Sequence, residues 1–241
     1  MPSSQEKQKR MTIARVGKSA VSILAVFSLL MSMTVKGEDK SELEKSIERQ
    51  GFVDIQTVDS TIRVSLMYSR SDNFTGRVLY TDLHRAYLHP EAARALKRAQ
   101  SYLRRHHPHL SLKVYDAARP MRVQQRMWKV VEHTSKDIYV SNPAHGGGLH
   151  NYGMAVDLTL CDEKGDSLAM GTRIDYMGAM AHVTNEQHFL SSGRLTAQAR
   201  RNRLILRQAM KAAGWRQLPT EWWHYNLVSR KVARAHYKVI K

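Results

Sequence analysis

The stretch Gly146-Gly-Gly-Leu-His-Asn-Tyr-Gly-Met-Ala-Val-Asp-Leu-Thr-Leu160 holds a strand and two metal-ligating side chain types, and the rest of the chain is organised around it. Residues 154–160 read as a strand that carries Asp157. The glycine-rich approach at 146–148 and a turn at Gly153 bring His150 back beside that strand. Imidazole nitrogen and carboxylate oxygen are both good zinc ligands. His and Asp seven residues apart are common, however, so this pair alone does not establish a metal centre.

Outward from that strand, Leu110, Leu112 and Val114 alternate as a second strand running into Asp116, and 53–55 and 62–66 alternate as half-buried strands. Helices are expected at 41–50, stopped by Gly51, and from Pro90, with Ala92, Ala93, Leu96, Ala99 and Leu103 on one apolar face. Further helices are expected at 121–133 and, strongly basic, at 196–213 before Gly214. No internal repeat or low-complexity linker interrupts them. The pattern predicts an α+β domain, with helices packed on a mainly antiparallel sheet.

The 241 residues suffice for one large domain, and 42% hydrophobic with 24% charged residues excludes wholesale disorder. One cysteine, Cys161, excludes an intrachain disulfide framework and reads as a buried small side chain. The formal charge of +17 is unevenly placed: residues 194–241 carry 12 Lys and Arg against Glu221 alone, whereas 38–193 are nearly neutral. The basic end reads as a solvated face, suited to weak association with anionic wall or membrane material. It has no recognised nucleic-acid reader motif, so no nucleic-acid partner is expected.

Residues 1–37 read as a targeting segment. Six basic groups surround a run of thirteen mostly apolar residues, 21–33, which is short for a membrane span. Val35 and Gly37 suit the −3 and −1 positions of a cleavage site. The expectation is an exported, periplasmic protein whose domain spans 38–241, membrane-anchored if the segment stays uncleaved.

Two further segments carry chemistry. In Glu221-Trp-Trp-His224, Glu and His three apart point to opposite faces of a straight strand, so they address one site only if the chain turns there; Pro219 makes that irregularity plausible. With His150 and Asp157, His224 completes a ligand set of two neutral imidazoles and one carboxylate. A zinc ion so held keeps an open position for water, and Glu221 is placed to act as its base. Arg119, in Tyr115-Asp-Ala-Ala-Arg-Pro120, follows a strand; it either faces the oxyanion of a tetrahedral intermediate or pairs structurally with Asp116.

Taken together, Asp116-Ala-Ala-Arg-Pro120, His150-x-x-Gly153-x-Ala155-x-Asp157-Leu-Thr159 and Glu221-x-Trp223-His224 resemble the D-alanyl-D-alanine dipeptidases, the VanX-type zinc peptidases. Tyr68-x-x-x-x-Asn73-Phe-Thr-Gly76 and Met170-Gly-Thr-x-x-Asp175 extend the resemblance over most of the chain. It implies one Zn2+ per chain on His150, Asp157 and His224, Glu221 as catalytic acid/base, and Arg119 as transition-state stabiliser. It also implies substrate contacts at Tyr68 and Asp175, with Asp175 suited to the free ammonium of a D,D-dipeptide.

Two positions depart from the family. Gly148 stands where a serine is usual, removing a hydroxyl that could bond substrate, and Ile174 stands where an aromatic residue is common. The alternative enzyme is a zinc D,D-carboxypeptidase or endopeptidase acting on longer peptidoglycan peptides. A non-enzymatic wall-binding module fits less well, because Glu221 and Arg119 accompany all three ligands. Elsewhere, His106, His107 and His109 read as a solvated helix end. Trp222 and Trp223 either wall the pocket or fill the core, and the 146–148 N–H groups either cradle a carboxylate or merely shape a loop.

Overall fold

Seven consecutive residues, Ala155–Cys161, are buried on both faces, which only the centre of a covered sheet allows. The computed structural model describes residues 39–240; the expected targeting segment 1–37 lies outside the described residues. In chain order the elements are α1 (Glu42–Arg49), β1 (Val53–Asp54), α2 (Ile55–Val58), β2 (Arg63–Val64), β3 (Tyr87–Leu88), α3 (Pro90–His106) and β4 (Ser111–Asp116). There follow α4 (Met121–Val131), β5 (Ala155–Cys161), α5 (Glu186–Ser191), α6 (Ala197–Ala212), β6 (Arg216–Gln217), β7 (His224–Asn226) and α7 (Arg230–His236).

The α+β class stands, but the main sheet is mixed rather than mainly antiparallel. Its order is β2-β4-β5-β7-β6, and β2 runs parallel to β4. The 17-residue α3 lies between those two strands in sequence and returns the chain to the same end of the sheet, as a parallel pair requires. β1 and β3 form a separate antiparallel pair. The strand expected at 53–55 is cut short because Asp54 accepts a hydrogen bond from the Gln56 N–H at 2.9 Å and caps α2.

α3 buries the apolar face read from its sequence, Ala92, Ala93, Leu96, Ala99 and Leu103, and packs against α6. Its end is solvated as expected, with His109 on the surface facing Glu163. The basic C-terminal stretch is not simply a solvated face. Arg203 of α6 is buried, paired with Glu186, and donates to the Met170 carbonyl at 2.7 Å and the Met180 carbonyl at 3.0 Å. A charge buried this way is satisfied by an acid and carbonyls together, and it ties residues 170 and 180 to α6. Among the described residues no helix is long and apolar enough to cross a membrane.

Candidate active site

Sheet register brings the site together. Asp157 on β5 lies directly opposite His224 on β7 and opposite Asp116 on β4, so three side chains share one row across three strands. The β4–β5 register shifts between Val114 and Asp116. That bulge turns Asp116 to the face of Asp157, while Leu112 and Val114 stay in the core. His150 sits on a single 3-10 turn, Leu149–Tyr152, closed by Gly153 at φ +63°. A Cβ on Gly153 would lie 2.6 Å from the Phe52 ring and 2.9 Å from the His89 nitrogen, so glycine is required there twice over.

The nitrogen and oxygen atoms offered by His150, Asp157 and His224 lie within 4.8 Å of one another, and among the described residues this is the one such group. Asp157 Oδ1 is 2.9 Å from His224 Nδ1, and Oδ2 is 3.3 Å from His150 Nε2. The outer nitrogens are already used. His150 Nδ1 donates to the Ala117 carbonyl at 2.8 Å, and His224 Nε2 to Asn226 Oδ1 at 2.9 Å. In neutral imidazoles that leaves His150 Nε2 and His224 Nδ1, 3.2 Å apart, both as lone pairs facing a carboxylate. Only a proton or a cation relieves that confrontation, so the donor set fits a metal ion. Outer partners of this kind fix the tautomer of ligating histidines. Burial by itself would raise Asp157; His150 and His224, where they carry the proton that relieves the confrontation, outweigh it and hold the carboxyl well below its usual range.

Glu221 and His224 meet because the chain turns between β6 and β7: Leu218 and His224 close the loop, and the Glu221 N–H bonds the Leu218 carbonyl. Glu221 Oε2 stands 3.9 Å from His224 Nδ1. Burial pushes Glu221 up to about 8, with Asp157 and Asp175 adding to the rise against His224 and Arg119. Asp175, a non-glycine residue at φ +64°, rises to about 7, mainly through burial. Its Oδ1 accepts from the Tyr68 hydroxyl at 3.0 Å, while Oδ2 is shut from solvent without a partner.

These two carboxyls give the metal-free protein a pH dependence of one sign, opposed by His89, which burial lowers. Between about pH 4 and 8 both carboxyls keep protons in the native state that the unfolded chain has released, so their contribution to stability falls as pH rises. Thermal unfolding of metal-free protein should show that fall, and Glu221→Gln should flatten it; a midpoint that climbs over the same window contradicts it.

Arg119 does pair with Asp116, and the pairing aims it into the site. Its Nε donates to Asp116 Oδ2 at 2.9 Å, a second guanidinium nitrogen bonds the same oxygen, and Nη1 donates to Gln124 Oε1 at 2.9 Å. Tyr80 holds the other Asp116 oxygen at 2.5 Å. The guanidinium lies over the Tyr68 ring, and Nη2 is 3.7 Å from Asp157 Oδ2. Arg119, Gln124, Tyr68, Asp175, Glu221 and the His150–Asp157–His224 group border a cleft of about 600 Å3, within the usual range for ligand pockets, with Asp116 and Tyr80 buried behind Arg119.

Trp223 walls that cleft, while Trp222 turns to a separate cavity and donates to Thr172. The 146–148 N–H groups do not cradle a ligand: they bond the Pro143 carbonyl, the Asn142 carbonyl and Asn151 Oδ1. His145 borders the cleft outside the three-residue metal group. Asn226 and Gln124 were not anticipated from sequence. Asn226 had a usable signal, since residues two apart on a strand share a face with His224.

The sequence pattern of the D-ala-D-ala dipeptidases (Peptidase_M15) matches residues 48–241. A D-alanyl-D-alanine dipeptidase of Escherichia coli (strain K12) is 33% identical over 175 residues, which cover 73% of this chain and 83% of that protein. One from Enterococcus faecium is 26% identical over 193 residues, covering 73% and 91% respectively. One from Synechocystis sp. is 28% identical over 151 residues, covering 49% and 60%. With the match running through nearly the whole described chain and the buried His150–Asp157–His224 group within it, the protein belongs to the D-ala-D-ala dipeptidase family and is a metallopeptidase.

Proposed function

We propose that the protein is an exported zinc dipeptidase that hydrolyses D-alanyl-D-alanine to two D-alanines. His150, Asp157 and His224 would hold one zinc ion, through the two inward nitrogens and the carboxylate. Zinc in such a site supplies Lewis acidity and lowers the pKa of water to about 7. Glu221 takes the proton from the attacking water and passes it to the leaving amine; its buried position and raised affinity for protons suit both halves of that task. Arg119, held by Asp116 and Gln124 before substrate arrives, faces the oxygen on which negative charge develops.

One observation favours a dipeptide over the longer peptides of a carboxypeptidase: the unpartnered Oδ2 of Asp175. A buried carboxylate oxygen with no donor is costly, and the free ammonium of a dipeptide supplies the missing charge and hydrogen bond. Burial keeps the Tyr68 hydroxyl protonated, so Tyr68 donates to the other oxygen and sets the carboxylate's direction. Asp175→Ala should raise KM for D-Ala-D-Ala by about 10–100-fold, the range for a hydrogen bond to a charged group. An amino-acetylated dipeptide should be a poor substrate of the wild type. Efficient turnover of that blocked peptide would move the assignment to the carboxypeptidase or endopeptidase reading.

Export rests on the basic and apolar character of residues 1–37, and secretion of a reporter fused to that segment tests it. The surface cations of α6 and α7 would then meet anionic wall or membrane material.

A further inference from the structure

We infer that Arg230 and Ser141 form the subsite for the terminal carboxylate of the substrate. The inference rests on the dipeptidase assignment above, since it concerns the far end of the same small molecule. A dipeptide carries an ammonium, one peptide bond and a carboxylate in fixed order. A cleft that selects it needs a cation after the groups that serve the peptide bond.

The cleft contains such an order. Asp175 accepts from Tyr68, and the Tyr68 ring lies beneath the Arg119 guanidinium at 5.3 Å. Arg119 donates to Gln124, and Gln124 Nε2 donates to the Ser141 carbonyl at 2.7 Å. Arg230 Nη2 in turn donates to Ser141 Oγ at 3.1 Å. Contact by contact, the wall runs from ammonium anchor through the transition-state arginine to a second guanidinium.

Of the two other arginines that line the cleft, Arg216 and Arg230, it is Arg230 that is joined to a hydroxyl, and that pairing suits it to an incoming anion. Arg119 is committed to Asp116 and Gln124, and the glycine N–H groups of 146–148 are consumed within their own loop. Arg230 is exposed on the cleft wall, and among the described residues no carboxylate lies within ion-pair distance of it. Guanidinium binds carboxylate through two parallel N–H groups, and a neighbouring hydroxyl adds a third donor.

Gly148 explains why the hydroxyl comes from Ser141. A Cβ at position 148 would lie 2.8 Å from Ser141 Oγ and 3.2 Å from its Cβ. The Ser141 hydroxyl thus fills the space that a side chain at 148 would need, and the serine expected at 148 is replaced by one contributed from 141.

The test compares D-Ala-D-Ala with its carboxy-terminal amide, both as substrates of zinc-loaded wild type and variants and as ligands of Glu221→Gln in calorimetry. The wild type should favour the free acid by at least about tenfold. Arg230→Gln should raise KM for the free acid about 10–100-fold, leave kcat within about threefold and leave the amide nearly unchanged. Gly148→Ser should weaken the free acid by displacing the Ser141 hydroxyl, and Ser141→Gly combined with Gly148→Ser should recover it. An Arg230→Gln enzyme that keeps the full preference for the free acid overturns the subsite. If the wild type hydrolyses neither compound, the dipeptidase assignment fails. The calorimetric comparison, repeated with Arg230→Gln in the Glu221→Gln background, still judges Arg230 by whether acid binds better than amide.

Discussion

Glu221→Gln is expected to lower kcat for D-Ala-D-Ala by about 10²–10⁴-fold, the range for losing a positioned general base, while the protein keeps its zinc. The substitution preserves volume in a buried loop position and removes only the group that accepts a proton. Glu221 lies outside the trio whose ligand atoms converge, with its oxygen 3.9 Å from His224 Nδ1. Metal analysis alongside steady-state kinetics separates the two roles. An inactive variant that has also lost zinc would place Glu221 among the ligands instead.

The second large effect belongs to Asp157. Both inward imidazole nitrogens are turned to its carboxylate, and it is the one anionic member of the trio. Asp157→Ala should therefore remove stoichiometric zinc and with it all measurable hydrolysis. Asn226→Ala, which takes away only the acceptor behind His224, should weaken zinc by about 10–100-fold, as loss of an outer partner typically does. Zinc affinities measured by competition with a chelator check the ranking. Equal affinities in the two variants would mean that the carboxylate is not a ligand.

Much of the candidate site was legible in the sequence because the residues that could ligate a metal lie on regular elements or on turns that glycine and proline announce. Gly153 foretold the turn that returns His150 to the strand, and the spacing of Glu221 and His224 required the bend found between β6 and β7. The helical faces of α3 followed from periodicity alone. The sheet's parallel edge did not, because β2 is two residues long and its partner is chosen by where α3 delivers the chain.

What stayed hidden in the site depends on partners remote in sequence. Arg203 sits in a basic helix that reads as solvated, yet Glu186 and two carbonyls draw it inward. The Ser141–Arg230 contact joins residues 89 apart, and no local pattern marks it. The bulge in β4 that turns Asp116 toward Asp157 arises from the pairing of two strands, not from either strand alone.

On the proposed function, one zinc ion on His150, Asp157 and His224 lets Glu221 drive hydrolysis of D-Ala-D-Ala. Titrating metal-free protein with zinc while measuring release of D-alanine tests it most directly. Activity should rise in proportion to added zinc and level off at one equivalent per chain, with Glu221→Gln binding the same equivalent and remaining nearly silent. No D-alanine from the zinc-saturated wild type, or comparable release from Glu221→Gln, would contradict the claim.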